Sequence, residues 1–196
     1  MKVHEKYYRA IWMEGSKVCM IDQNKLPFEF SVHVCNNIHE TCNAISTMVT
    51  RGAGSIGAAG GYAMLQTLLT DKDPDFVENL NHAKRLIDAT RPTAINLSYA
   101  TSRVLKAASI SKEYAINEAY AIADECALQG KQIGKFGNSL IKDKCNIETH
   151  CNAGWLALVD HGSALAPIYE AKDSGKNIFV YVDETRPRSQ GARLTA

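Results

Sequence analysis

At 196 residues and a formal charge of +1, the chain is long enough for one domain or two small ones and carries no excess of either sign. A hydrophobic fraction of 45% and a charged fraction of 22% are those of an ordinary globular protein, which argues against a disordered or membrane-spanning class. Lys+Arg of 22 against Asp+Glu of 21 gives no footprint for nucleic acid, although a local basic pocket for a phosphorylated small molecule fits inside a neutral total. The six cysteines, Cys19, Cys35, Cys42, Cys126, Cys145 and Cys151, form no close CxxC pair, so no metal is expected. The N-terminus has no apolar signal-peptide core, and no apolar stretch reaches the roughly 20 residues of a bilayer crossing. The expectation is a cytoplasmic protein with reduced thiols and neither membrane nor nucleic-acid partners.

In chain order, residues 7–13, 17–23 and 28–34 read as short strands separated by turns at Glu14-Gly15-Ser16 and Asn24 to Pro27, a small antiparallel sheet. From Asn37 the spacing of Ile38, Cys42 and Ile45 becomes helical. Further helices are predicted over Gly57 to Leu69, Asp75 to Ala89 starting near Pro74, Ala94 to Ala108 after Pro92, and Glu113 to Asn138. Gly130, Gly134 and Gly137 predict breaks in the last of these. A strand over Cys145 to Thr149, a helix over Leu156 to Ser174 and a strand over Asn177 to Val182 then make a βαβ unit, the beginning of a parallel sheet.

Four segments have the composition of a ligand site. Arg51 to Gly61 is glycine-rich and opens into a helix, where free N–H groups and a permanent cation suit a phosphate; a close helix contact through small residues is the competing explanation. At Thr90-Arg91-Pro92, Thr90 is placed to cap a helix start and Arg91 to hold an anion beside it, or the segment is a capped helix with a solvated arginine. Cys151, at the end of a strand and ahead of a helix, is poised for proton transfer or polar stabilisation, or is a small buried hydrophobe. A dyad with His150 is disfavoured, because adjacent strand residues point to opposite faces. Past the last strand, Gln190 and the arginines of residues 183–196 suit sugar hydroxyls and phosphate, or form a solvated loop of internal ion pairs.

Taken together, Ile21-Asp22-Gln23 with Leu26-Pro27, Met48 with Arg51-Gly52-Ala53, Thr90 to Leu97, Thr149 to Gly154 and Asp183 to Ala196 resemble the methylthioribose-1-phosphate isomerase family. That family is part of the group containing the regulatory subunits of initiation factor 2B and archaeal ribose-1,5-bisphosphate isomerase. Gly54 departs from the pattern, since proline is usual there in the methylthioribose enzymes. The resemblance implies an α/β fold: a small N-terminal β-sheet and helical bundle over residues 1–140, then the first part of a Rossmann-like parallel sheet domain over 141–196.

It also implies conversion of 5-methylthioribose 1-phosphate to 5-methylthioribulose 1-phosphate in methionine salvage, without metal or cofactor. Cys151 is then the catalytic cysteine, and Arg51, Gly52, Ala53, Arg91 and Gln190 bind the phosphorylated sugar. The aspartate of the family's Gly-Ala-Asp segment and the Asn-Lys pair after it find no match up to Ala196, so the chain reads as the N-terminal half or more of such an enzyme. A lone proton-transfer carboxylate is worth about 10²–10⁴-fold, and the chain by itself is therefore expected to be nearly inactive. Association as a homodimer or with a companion C-terminal fragment is expected. A non-catalytic regulatory or sugar-phosphate-binding relative, and a ribose-1,5-bisphosphate isomerase, are the alternatives.

Overall fold

The computed structural model describes residues 1–71 and 76–196 and has a mixed α/β architecture. A short hairpin of β1 (Lys2–Val3) and β2 (Lys6–Tyr7) precedes a three-stranded antiparallel sheet of β3 (Ile11–Glu14), β4 (Lys17–Ile21) and β5 (Val32–Cys35), with β4 in the centre. Gly15, at φ +61°, makes the two-residue turn that pairs Glu14 with Lys17. Val18 to Ile21 are all buried because β4 is covered on both faces: Val18 and Met20 join the main core, while Ile21 packs with Ala10 and Leu156.

The first strand expected from the sequence is shorter than residues 7–13. Ala10 leaves the ladder to donate its N–H to the Val159 carbonyl at 2.7 Å while its own carbonyl accepts from Ile21, so this short link carries a tertiary contact instead of a strand pair. Likewise residues 25–29 turn back on themselves, and pairing begins only at Val32.

Five helices follow: α1 (Ile38–Ser46), α2 (Ala53–Thr70), α3 (Phe76–Thr90), α4 (Ile95–Ala108) and α5 (Lys112–Asn138). The start of α1 is a reciprocal cap, in which the Asn37 side chain accepts from the Glu40 N–H and the Glu40 carboxylate accepts from the Asn36 N–H. Helix α2 is buried on nearly all sides and packs against the other four helices and the β3–β4 hairpin. Its Gln66 is enclosed and satisfied, donating to the Cys35 carbonyl at 3.0 Å and accepting from Thr41 Oγ1 at 2.6 Å, which fastens the sheet to the helices. The expected start of α3 around Pro74 and Asp75 lies outside the described residues. No described helix is long and apolar enough to cross a membrane.

A parallel pair, β6 (Cys145–His150) and β7 (Ile178–Asp183), is linked by α6 (Ala166–Asp173), and a helical turn at Gly191–Thr195 follows it. Two expectations fail here. First, residues 156–174 are not one helix: a 3-10 turn at Trp155–Ala157 and α6 flank an irregular stretch with Val159, His161 and Gly162 at positive φ. Ser55 Oγ accepts from the Val159 N–H, Ala10 donates to the Val159 carbonyl, and Cys126 Sγ donates to the Leu158 carbonyl. Hydrogen bonds to three distant elements thus replace the intrahelical ladder.

Second, α5 runs unbroken through Gly130, Gly134 and Gly137. Packing, not flexibility, requires those glycines: a Cβ at Gly130 would stand 2.6 Å from the Gly162 carbonyl oxygen, one at Gly134 2.9 Å from Glu170 Cγ, and one at Gly137 2.4 Å from Pro167 Cγ. At an exposed helical site, Gly→Ala stabilises by about 0.5–1 kcal/mol. At Gly130 the sign is expected to reverse, with Gly130→Ala losing about 1–3 kcal/mol to overpacking against backbone, read as a lowered midpoint in urea unfolding.

Candidate functional site

Four chain segments converge where the parallel strands end. The α2 start contributes Arg51 and Gly52, the α3–α4 link contributes Arg91, the residues after β6 contribute Cys151 and Asn152, and those after β7 contribute Arg188, Gln190 and Leu194. These residues, with Met48 and Ala157, line a cavity of about 200 Å³. Gly52 sits at φ +101° directly against the 155–157 turn, where a Cβ would be 2.4 Å from Ala157 Cα; only glycine permits that approach. Beneath it, buried Gln23 donates to the Arg51 and Leu156 carbonyls at 3.3 and 2.9 Å, and Ser55 Oγ donates to the same Leu156 carbonyl at 2.7 Å.

The electrostatics of the cavity call for an anion. Arg51 is only 7% exposed, and its Nε and Nη2 have no hydrogen-bond partner; neither has the buried Nη1 of Arg91. Burial, followed by the positive charges of Arg193 and Arg188, pulls the Arg51 pKa below its usual value, while Cys151 opposes that shift. The first helical hydrogen bond of α2 is from Ile56 N to the Gly52 carbonyl, so the N–H groups of Ala53, Gly54 and Ser55 precede the ladder, at the positive end of the helix. Unpaired guanidinium N–H groups and a helix N-terminus around one small cavity are complementary to a phosphate-sized anion.

Cys151 follows β6 in a left-handed conformation, φ +63°, which turns it off the strand path. Its N–H donates to the Asp183 carbonyl at 3.4 Å and its carbonyl accepts from Thr195 Oγ1 at 2.6 Å, so both flanks of the β6–β7 pair hold it. His150 is exposed and lies 3.5 Å from the Asp183 carboxylate, outside the cavity lining. The loop after β7 is closed by Glu184, whose carboxylate accepts from the N–H groups of Thr185, Gly191 and Ala192. Those bonds, with that of Thr185 the strongest, hold the Glu184 pKa below the ordinary carboxylate range. Thr185 Oγ1 in turn donates to Gln190 Oε1 at 2.9 Å, and Arg193 reaches back to the Leu26 and Asn24 carbonyls of the β4–β5 loop.

Of the residues singled out in the sequence, Cys151, Arg51, Gly52, Arg91 and Gln190 line the one cavity. Ala53 does not; it is the exposed first residue of α2 and offers only its backbone N–H. Thr90 does not cap α4 as its position before Pro92 suggested. It is the last residue of α3, its hydroxyl bonded to the Ile87 carbonyl at 2.6 Å, and α4 begins at Ile95 without a side-chain cap. Arg188, Asn152, Met48, Ala157 and Leu194 were not singled out individually; for Arg188 the only signal was its place in an arginine-rich segment beyond a parallel strand.

An α/β protein with a cationic cavity beyond its parallel strands is the class that fold and site define. Residues 49–196 match the initiation factor 2 subunit family, and the chain belongs to that family. It is 45% identical to the methylthioribose-1-phosphate isomerase of Roseiflexus castenholzii and 44% identical to that of Methylorubrum extorquens, over 96% and 100% of its length. The chain spans 58% and 57% of the length of those two relatives. Among solved structures, 5-methylthioribose 1-phosphate isomerase from Pyrococcus horikoshii superposes with a TM-score of 0.90 at 35% identity, covering 97% of this chain and 56% of that one. The delta subunit of translation initiation factor eIF-2B from A. fulgidus gives 0.87 at 37% identity, covering 96% and 58%.

A buried cation with unpaired donors opposes folding of the empty chain. Arg51→Met is therefore expected to raise the unfolding free energy of the ligand-free protein by about 1–3 kcal/mol while removing the added stability that inorganic phosphate confers on the parent chain. Denaturation curves with and without phosphate test both halves of this expectation.

Proposed function

We propose that this chain carries the phosphate-binding and cysteine-bearing part of an aldose–ketose isomerase acting on 5-methylthioribose 1-phosphate, in the cytoplasm. The observation that carries the reading is the buried guanidinium of Arg51 and the half-buried one of Arg91, with unpaired buried N–H groups, on the cavity that also holds Cys151. In this reading Arg51, Arg91 and the α2 N-terminus, including the Gly52 and Ala53 backbone, hold the substrate phosphate. Gln190 uses its oxygen to accept from Thr185, which leaves its amide N–H groups for sugar hydroxyls. Met48, Ala157 and Leu194 supply an apolar wall suited to the thioether end.

The reaction moves a hydrogen from C2 to C1 of a sugar whose anomeric oxygen is blocked by phosphate, so the ring oxygen must be protonated before the chain opens. Cys151, at the cavity wall beside the arginines, is placed to exchange a proton or stabilise charge there. Identity of 41–45% to proteins named methylthioribose-1-phosphate isomerase supports the substrate assignment.

We read residues 1–140 and 141–196 as two units, the second contributing the strand ends that carry Cys151 and Gln190. The outward side chains of β7, Phe179 and Tyr181, are 59% and 56% exposed, a face that supports association with a second copy or a companion segment, because parallel sheets are ordinarily covered on both sides.

The test is a titration of the chain with 5-methylthioribose 1-phosphate, its dephosphorylated form and ribose 1,5-bisphosphate, with ketose formation followed by NMR. Arg51→Gln and Arg91→Gln should each weaken binding of the phosphorylated sugar by about 10–100-fold and leave the dephosphorylated sugar unaffected, the range for hydrogen bonds to a charged group. Cys151→Ser should leave affinity within about threefold and lower the ketose yield. Equal affinity for the phosphorylated and dephosphorylated sugars would sink the reading. Tight binding with no ketose, even alongside the remaining part of a full-length relative, would make the chain a non-catalytic sugar-phosphate binder.

A further inference from the structure

The cavity wall after β7 is formed by a loop whose two ends are both bonded to one exposed carboxylate, that of Glu184. Residues 184–192 carry Arg188 and Gln190 to the cavity; Arg188 is exposed, Ser189 stands at positive φ, and the backbone bond inside the loop runs from Ser189 N to the Thr185 carbonyl at 2.7 Å. Three further bonds converge on the Glu184 side chain: Thr185 N at 2.7 Å and Gly191 N at 3.1 Å on Oε1, and Ala192 N at 3.4 Å on Oε2. The first lies at the beginning of the loop and the other two just past Gln190, so the carboxylate ties the two ends together. Thr185, oriented by the same contact, then fixes the Gln190 amide through Oγ1. Gly191 is in turn held where a Cβ would lie 2.5 Å from the Asp183 carbonyl oxygen, leaving the loop end no room to shift towards the strand.

We infer that Glu184 is a positioning residue: it does not line the cavity, but it holds the 184–192 loop in the arrangement that presents Arg188 to a bound anion and Gln190 to the sugar beside it. The inference rests on the anion-binding reading of the cavity given above.

The sign of its effect separates positioning from a simple electrostatic role. As a negative charge beside a cationic site, Glu184 lowers anion affinity through its field alone, so its removal would tighten binding. If the carboxylate positions the loop, its removal weakens binding, since apparent affinity scales with the fraction of chains whose loop is competent.

The experiment compares the full chain with Glu184→Ala and Glu184→Gln by two readouts. Hydrogen exchange over residues 184–196 needs no ligand; protection should be lost in Glu184→Ala and partly kept in Glu184→Gln, which retains one acceptor oxygen, while exchange in α2 and α5 stays at the parent level. Calorimetric titration with inorganic phosphate should give about 5–10-fold weaker binding for Glu184→Ala, a competent fraction of roughly a tenth to a fifth. In an Arg188→Gln, Gln190→Ala background the same substitution should change affinity less than twofold, because the groups it positions are gone.

Intact loop protection in Glu184→Ala, unchanged or tighter phosphate binding, or an undiminished loss in that background would each overturn the inference. If instead the parent chain binds phosphate no better than Arg51→Gln, the anion reading of the cavity fails, and the exchange data by themselves decide whether Glu184 locks the loop.

Discussion

The start of α2 lies directly on the turn at residues 155–157. Gly52 and Gly54 have no Cβ because Ala157 and Leu158 occupy that space, and Ser55, Gln23 and the Leu156 carbonyl are bonded beneath them. Through this contact the helical bundle fixes the segment that follows β6, and Ala10 adds a second tie to the Val159 carbonyl. Arg51 stands just before Gly52, so the packing of the α2 start on the 155–157 turn also brings a buried cation to the ends of the parallel strands. Loosening that contact would separate Arg51 from Cys151 without altering either element.

The cavity concentrates like charge. Arg51, Arg188 and Arg193 lie close enough for the latter two to lower the Arg51 pKa, and buried guanidinium atoms of Arg51 and Arg91 have no acceptor. A folded chain tolerates such an arrangement only because its core elsewhere is well formed: the buried faces of α2 and its neighbours make one apolar cluster, and Gln66 inside that core is bonded to Cys35 and Thr41. Stability and ligand affinity are opposed at Arg51. In the proposed reading, an incoming oxyanion brings the acceptors that the Arg51 Nε and Nη2 lack.

Glycine has two separate uses in the chain. Gly52 is needed for its backbone conformation as well as for close approach, whereas Gly130, Gly134 and Gly137 lie in regular helix and matter only because α6 and the 160–162 segment touch the α5 backbone. A glycine's identity is visible in a sequence, but the atom that would collide with its Cβ is not. This is why the expected breaks in α5 are absent.

Periodicity together with glycine and proline punctuation located the β4 strand, the amphipathic helices and the β6 and β7 strands, because those elements bury one face or lie wholly inside and their side chains must repeat accordingly. Motif chemistry and the family resemblance it carried picked out Arg51, Gly52, Ala53, Arg91, Cys151 and Gln190 as ligand-facing, and all but Ala53 line the cavity. The sequence could not determine which residues share a cavity, since the groups are up to 139 positions apart, the separation of Arg51 and Gln190, and only packing brings them together. Nor could it show that residues 158–165 are irregular, as their local pattern permits a helix and bonds to Ser55, Ala10 and Cys126 decide otherwise. Local sequence therefore determined most of the elements and the chemical character of the candidate site, while tertiary structure decided the 155–174 segment, the continuity of α5 and the site's geometry, because hydrogen bonds and steric exclusion between distant segments have no periodic signature along the chain.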